Sequence, residues 1–305
     1  MYSYKGLENL LKAKNMKKSD MIESIGLSSR TVAKIGKGEK LSDSVIMRMC
    51  NFFGCEKDDI FIEEGANQLL NVLKEEKEAK ISGGIYHETQ VRLAYNSNRI
   101  EGSKLSEDQT RLIFETNTIG SPDGIPVDDI IETANHFRAI DYVIDHATDP
   151  LTEELIKDLH RILKTATKDS TVSWFNVGEY KARANVVGGR ETTSPKLVAA
   201  EMKKLLTDYD NLTNINIHDI IKFHHDFEAI HPFQDGNGRV GRLIAFKECL
   251  RFGITPFIIE DEKKMFYYRG LKEWKNERGF LTDTCLDAQD CYKRRLRYFD
   301  IPFDN

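Results

Sequence analysis

The tightest constraint in this chain is a stretch of twelve residues, His231-Pro232-Phe233-Gln234-Asp235-Gly236-Asn237-Gly238-Arg239-Val240-Gly241-Arg242. Upstream of it, Ile220, Ile221, Phe227 and Ile230 recur with helical spacing and stop at Pro232. Downstream, Val240, Leu243 and Ile244 open a second apolar stripe near Arg239. Two helices are therefore joined by Gly-Asn-Gly, whose glycines let successive backbone N–H groups turn toward one point. Those donors sit at a helix N-terminus, where the macrodipole favours negative charge. Arg239 and Arg242 add fixed cations on the first turn. The stretch reads as a cradle for a polyphosphate, with Phe233 as the apolar anchor of the loop.

Two further groups give the cradle chemistry. Asp235 is a hard oxygen ligand of the kind Mg²⁺ requires. His231, at the mouth, has an intrinsic pKa near 6.5 and can accept a proton from a hydroxyl at neutral pH. Base, metal ligand, anion cradle and arginines within one loop are what phosphoryl or nucleotidyl transfer needs. The pattern H-x-F-x-D-G-N-G-R-x-x-R resembles the motif of the Fic family, and all eight defining positions are met. The resemblance implies a mainly α fold, a helical bundle with a β-hairpin flap. It also implies a protein adenylyltransferase that uses ATP as substrate and Mg²⁺ as cofactor to place AMP on a Ser, Thr or Tyr hydroxyl of a target protein. In that reading His231 deprotonates the hydroxyl, and Asp235 holds Mg²⁺ against the α- and β-phosphates. Gly236, Asn237 and Gly238 stabilise the α-phosphate, Arg239 assists the β-phosphate, and Arg242 grips the γ-phosphate.

Three other segments extend the resemblance. In Ala94-Tyr95-Asn96-Ser97-Asn98-Arg99-Ile100-Glu101-Gly102, Ser97 and Glu101 are four residues apart and share a helix face. The segment resembles the family's inhibitory helix, which implies that Glu101 pairs bidentately with Arg242 and blocks the group meant for the γ-phosphate. Tyr180 to Pro195 resembles the flap, with Val187, Gly188, Gly189 and Arg190 nearest the nucleotide. An exposed hairpin edge of this kind can pair with an extended segment of a target. Met265-Phe266-Tyr267-Tyr268 resembles the stretch beside the adenine, with Tyr268 as the ring contact.

The N-terminal sixty residues have a different character. Residues 1–50 carry ten Lys or Arg against five acids, +5, so the rest of a chain of net charge −5 carries −10. Short capped segments here are punctuated by Gly26, Gly36, Gly38 and Gly54, the plan of a helix-turn-helix. The stretch from Lys17 to Phe53 resembles the Cro/C1-type repressor domain, and Ser28, Ser29, Arg30, Thr31 and Lys34 would face a DNA groove. The expected organisation is a helix-turn-helix domain over 1–62 and a charged linker or helix over 63–84. A Fic domain over 85–305 follows, with its inhibitory helix at about 85–102, flap at about 180–195 and active loop at 231–242. Helices are expected around 85–101, 128–146, 152–164, 195–211, 217–230, 239–252, 262–275 and 284–298.

Bulk features narrow the setting. No apolar run approaches the roughly 18 residues a membrane helix needs. The five cysteines are scattered and odd in number, with no C-x-x-C pair, which favours reduced thiols and a cytoplasmic protein over a disulfide frame. A homodimer is an expectation for a helix-turn-helix reading two half-sites. Two other readings stand beside AMP transfer: removal of AMP by the same residues, with Glu101 orienting a water, and a DNA-binding regulator whose second half senses nucleotide. Phosphate or phosphocholine transfer fits less well, because Gly238 matches the AMP-transferring pattern.

Overall fold

The computed structural model describes residues 2–14, 16–55, 57–60, 62–63, 68–120 and 124–303. The chain divides into two compact units, residues 1–67 and 68–305. Residues 64–67 of the expected connection lie outside the described residues.

The first unit begins with strand β1 (Tyr2–Ser3), which pairs antiparallel with β2 (Ile62–Glu63), so the two ends of the unit are stitched together. Between them run α1 (Lys5–Ala13), α2 (Met21–Ser24), α3 (Ser29–Gly36), α4 (Asp43–Phe53) and α5 (Lys57–Ile60). Leu7, Leu11, Met21, Leu27, Ile35, Ile46 and Met49 close a small core. Gly54 ends α4 in the left-handed region, where only glycine is unstrained. Among the expected groove residues, Ser28 caps α3 by accepting the Thr31 N–H at 3.1 Å. Ser29 and Arg30 are exposed on the first turn of α3, while Thr31 and Lys34 are half-buried.

The second unit is a helical bundle. Its elements are α6 (Gln68–Ala79), α7 (Ile85–Ile100), α8 (Glu107–Thr116), α9 (Val127–Asp145) and α10 (Glu153–Lys164). Then come the strands β3 (Val186–Val187) and β4 (Arg190–Glu191). The remainder is α11 (Pro195–Asp210), α12 (Ile217–Ile230), α13 (Asn237–Arg251), α14 (Lys264–Glu273) and α15 (Gly279–Tyr298). Helix α13 is buried on every side, as expected for an element whose apolar residues occupy all faces. It packs against α7, α9, α10 and α12, so its N-terminus is held in a fixed direction.

Two features differ from the reading of the sequence. The charged segment before the bundle contains α6, whose Leu69, Leu70 and Leu73 are buried in the core of the second unit. Helix α8 was not foreseen, although Ser106 and Gln109 form a capping box at its start. The strands of the expected flap pair in register Val186↔Glu191 and Val187↔Arg190, around Gly188 and Gly189, both at positive φ. That is the backbone a two-residue hairpin turn demands.

Candidate active site

The loop between α12 and α13 is held from three directions. Phe233 is fully buried, and His160 of α10 stacks on it with ring centroids 4.0 Å apart and planes 2° from parallel. His160 Nδ1 accepts the Gly178 N–H at 2.9 Å, so its Nε2 carries the proton and donates to the Asp235 carbonyl at 3.2 Å. Burial and the neighbouring Lys164 push the His160 pKa down to about 3, which keeps the ring in this neutral form. Asn237 staples the loop to itself: its Oδ1 accepts the Phe233 N–H at 2.7 Å and its Nδ2 donates to the Phe233 carbonyl at 2.9 Å. The Asn237 side chain thus shapes the turn, and what it can offer an anion is its main-chain N–H. Gly236 caps α13 at φ 78°, a conformation that frees the helix N-terminus.

His231 ends α12 in the left-handed region, φ 54°, which turns its side chain off the helix axis. Burial and the Lys181 ammonium push its pKa down to about 4, against the opposing pull of Glu101 and Asp235. It is therefore neutral across the physiological range, more firmly than its intrinsic value implied. His231 lines a cleft of about 280 Å³ with Val187 and Arg190 of the flap, Glu228, Leu271 and Trp274. Lys181 ties this wall together. Its ammonium donates to Asn185 Oδ1 at 2.9 Å and Thr192 Oγ1 at 2.6 Å, and its main-chain N–H reaches the Pro232 carbonyl at 2.9 Å. Both legs of the hairpin are so fastened to the loop. Tyr268 lies beside the Glu101 end of the site: its hydroxyl donates to the carbonyl of Ile100, the residue before Glu101, at 2.8 Å.

Arg242 is buried on the second turn of α13. Its Nε donates to Ser97 Oγ at 2.9 Å, and Nη2 donates to the Ser97 carbonyl at 2.9 Å and to Glu101 Oε1 at 2.7 Å. The expected bidentate pair is not what forms. Ser97 takes the second place, because it lies one turn before Glu101 on the same face. Glu101 is the C-cap of α7 and is followed by Gly102 at φ 100°. Its carboxylate lies directly over Gly238, so close that a Cβ built there would overlap it. Glu101 therefore covers the N-terminus of α13 as well as Arg242. Behind Arg242, burial pushes Glu228 up to about 8, with Arg242 opposing, so this acid is uncharged at neutral pH.

A second charged group surrounds Asp235 and Arg239. Arg239 pairs with Glu132 of α9 and, at 3.1 Å, with Asp235. Lys164 reaches Glu132 at 2.6 Å, Asp169 at 2.9 Å and Asp235 at 2.7 Å. Despite partial burial, Arg239 and Lys164 hold the Asp235 carboxyl well below the usual carboxylate range. Asp235 keeps about half of its side chain exposed, 51%. Glu132, Asp169 and Asp235 each bring a carboxylate oxygen within 4.8 Å of the others. Together with Glu101 and Arg239 they line an open cleft of about 520 Å³. An ionised, half-exposed carboxylate of this kind suits a hard divalent cation that takes its remaining ligands from phosphates and water.

The structure thus brings His231, Asp235, Gly236, Gly238, Arg239, Arg242, Ser97 and Glu101 to one region, with Val187 and Arg190 on the flap beside it. Sequence reasoning missed Lys164, Glu132, Asp169, Lys181 and Glu228, which come from separate elements and carry no motif of their own.

A helical bundle with a buried central helix, a glycine-opened N-terminus on that helix and a short hairpin over the adjoining loop belongs to one structural class, the Fic fold. Residues 150–248 match the Fic/DOC family, and residues 6–64 match the Cro/C1-type HTH DNA-binding domain. The chain is a protein with a Fic/DOC-family domain preceded in sequence by a Cro/C1-type helix-turn-helix domain. Among solved structures, a Fic domain containing signaling protein from Bacteroides thetaiotaomicron aligns with TM-score 0.60 at 23% identity, over 77% of this chain and 98% of that one. Fic-1 (residues 134–508) from C. elegans aligns with TM-score 0.59 at 18% identity, over 96% of this chain and 99% of that one. Among curated proteins, the protein adenylyltransferase Fic of Drosophila willistoni is 29% identical over 181 residues, 58% of this chain and 35% of its own length. That of Aedes aegypti is 28% identical over 219 residues, 68% of this chain and 41% of its own. The chain spans well under half the length of these relatives.

The electrostatics of His231 are directly measurable. Its ring should titrate with a midpoint near 4 in an NMR pH titration. Glu101→Gly should lower that midpoint, because a nearby anion favouring imidazolium is removed, and Lys181→Met should raise it. A midpoint at 6.5 in all three proteins would contradict this account of the site.

Proposed function

We propose that this protein transfers AMP from ATP to a Ser, Thr or Tyr hydroxyl of another protein, and that Glu101 holds the enzyme in an inhibited state. The carrying observation is the position of Glu101: its carboxylate lies over Gly238 and against Arg242, where a nucleotide's phosphates would need the same donors. A side-chain anion that pairs with a buried arginine beside a helix N-terminus implies that the site is built for anions. The relatives named as adenylyltransferases support AMP as the transferred group.

In this mechanism the nucleoside occupies the cleft bounded by Val187, Arg190, Leu271 and Trp274. The α-phosphate lies at the N-terminus of α13, where the N–H groups of Gly236, Asn237 and Gly238 meet the charge that builds on its oxygens. Neutral His231 takes the proton of the target hydroxyl as that oxygen bonds to the α-phosphorus. The bond from the α-phosphorus to the bridging oxygen breaks, and pyrophosphate leaves with the electron pair. Arg239 faces the β-phosphate and Arg242 the γ-phosphate. Asp235 would hold Mg²⁺, which when bound neutralises phosphate charge. The hairpin edge, with Val186 and Val187 exposed, offers main-chain groups to an extended segment of the target.

Inhibition in this account needs only one side chain to move. Twelve of the sixteen residues of α7 are buried, so the helix belongs to the core and cannot swing away without unfolding it. Glu101, on the helix cap beside Gly102 and partly exposed, can turn once its pair with Arg242 is exchanged for another anion's. Label transfer from α-³²P-ATP with Mg²⁺ tests the reading, using the protein itself and a cell lysate as acceptors. Glu101→Gly should label strongly, wild type weakly and Glu101→Gly/His231→Ala not at all. Transfer of label from γ-³²P-ATP alone would instead make this a phosphotransferase and overturn the proposal.

For the N-terminal domain we propose DNA binding through α3. Arg30 and Ser29 are presented to solvent, and Ser28 and Thr31 fix the helix start. Lys34 adds a second cation to the same helix. Fluorescence anisotropy with fragments of promoter DNA should show salt-dependent binding that Arg30→Ala/Lys34→Ala abolishes. Equal binding by that variant would remove α3 as the reading element.

A further inference from the structure

The charges around Asp235 have an arrangement that the transfer mechanism does not use. Three carboxylates from three elements converge on one point: Glu132 from α9, Asp169 from the turn after α10, and Asp235 from the active loop. Such a triad commonly collects a divalent cation. Here the point of convergence belongs to an ammonium. Lys164, the last residue of α10, is 1% exposed and lies 2.6–2.9 Å from all three acids. Its stem passes beneath the active loop, where a Cβ on Gly236 would touch its Cδ at 3.6 Å. With Arg239 beside it, two fixed cations face three carboxylates, leaving one net negative charge.

We propose that Lys164 is a positioning residue for the metal-nucleotide end of the site, a built-in cation that occupies the acidic triad and reserves Asp235 for the metal that arrives with the nucleotide. This rests on the transferase reading for what Asp235 holds, but the placement of Lys164 stands on its own geometry. One oxygen of Asp235, Oδ2, is shared by Lys164 and Arg239 at 2.7 and 3.1 Å, which fixes the carboxylate in orientation. The exposed part of the same group is left toward the cleft it shares with Glu101. If the ammonium is removed, two negative charges remain after Arg239 is counted, and the triad becomes a ligand set for a divalent ion drawn away from the phosphates.

The test uses the whole chain free of nucleotide, with Mn²⁺ as the probe. Free Mn²⁺ is counted by electron paramagnetic resonance in titrations of wild type, Lys164→Met and Lys164→Gln. The proposal expects both variants to bind Mn²⁺ about tenfold or more tightly than wild type, as three carboxylates without their cation should. Adding Asp169→Asn should take that gain away. It also expects Mn²⁺ to raise the melting temperature of the variants and leave that of wild type unchanged. Folded variants with wild-type Mn²⁺ affinity would overturn it. Variants that fold only with Mn²⁺ support it, and variants that fold neither with nor without the ion assign Lys164 a purely structural role. Because no transfer activity is read, this outcome is separate from the label-transfer result: failure of label transfer leaves the Mn²⁺ comparison intact.

Discussion

Everything around the site answers one electrostatic demand, the positive potential gathered at the N-terminus of α13. The helix is buried on all sides, so its first-turn N–H groups, its macrodipole and the guanidinium groups of Arg239 and Arg242 act in a setting that water screens weakly. Buried cations without partners are costly, and the fold supplies counter-charges from distant parts of the chain. Glu101 comes from α7, Glu132 from α9 and Asp235 from the loop itself. Glu228 stays protonated behind Arg242, an acid already at hand but uncharged while Glu101 holds the arginine. The potential that suits a polyphosphate must be satisfied in its absence, and a carboxylate lying over Gly238 does so.

In the proposed reading, inhibition is a consequence of stability rather than an addition to it. Ser97 and Glu101 lie one turn apart, and both reach Arg242, through a hydroxyl, a carbonyl and a carboxylate. Of these three contacts only the carboxylate's belongs to a side chain that solvent can reach, with 31% exposure. The other two are fixed by the helix. Arg242 is therefore held in place whether or not Glu101 is, and replacing one anion by another leaves the arginine ready to use. The flap follows the same economy of movement, since Lys181 fastens both of its legs to the loop that carries His231.

Much of this was legible in the sequence because the chemistry is contiguous. His231 to Arg242 places base, carboxylate, glycines and arginines on one turn and one helix start, and local spacing is enough to read them. Ser97 and Glu101 share a helix face by their i,i+4 spacing, but it was the resemblance to the family's inhibitory helix that pointed them at Arg242. Lys164, Glu132 and Asp169 were not, because charged residues on amphipathic helices read as solvated until packing brings three elements together. The sequence assigned Asn237 to the anion cradle but gave no role to its side chain, which staples the loop to Phe233, a contact that spacing alone does not reveal. The pairing of Tyr2–Ser3 with Ile62–Glu63 joins residues about sixty positions apart, beyond any local pattern. Helix α6 carries its buried leucines just ahead of the Lys and Glu run that begins at Lys74, and that run dominated the reading of the segment.

The central claim is that Glu101 and the phosphates compete for the same donors, and calorimetry can test it without turnover. ATP and adenosine, each with Mg²⁺ present, would be titrated into His231→Ala protein with Glu101 intact and with Glu101→Gly. The account predicts that removing Glu101 tightens ATP by about tenfold or more, as one charge-assisted contact set is exchanged for another, while adenosine changes by less than about twofold. Equal ATP affinity in the two proteins, or the same gain for adenosine, would contradict it.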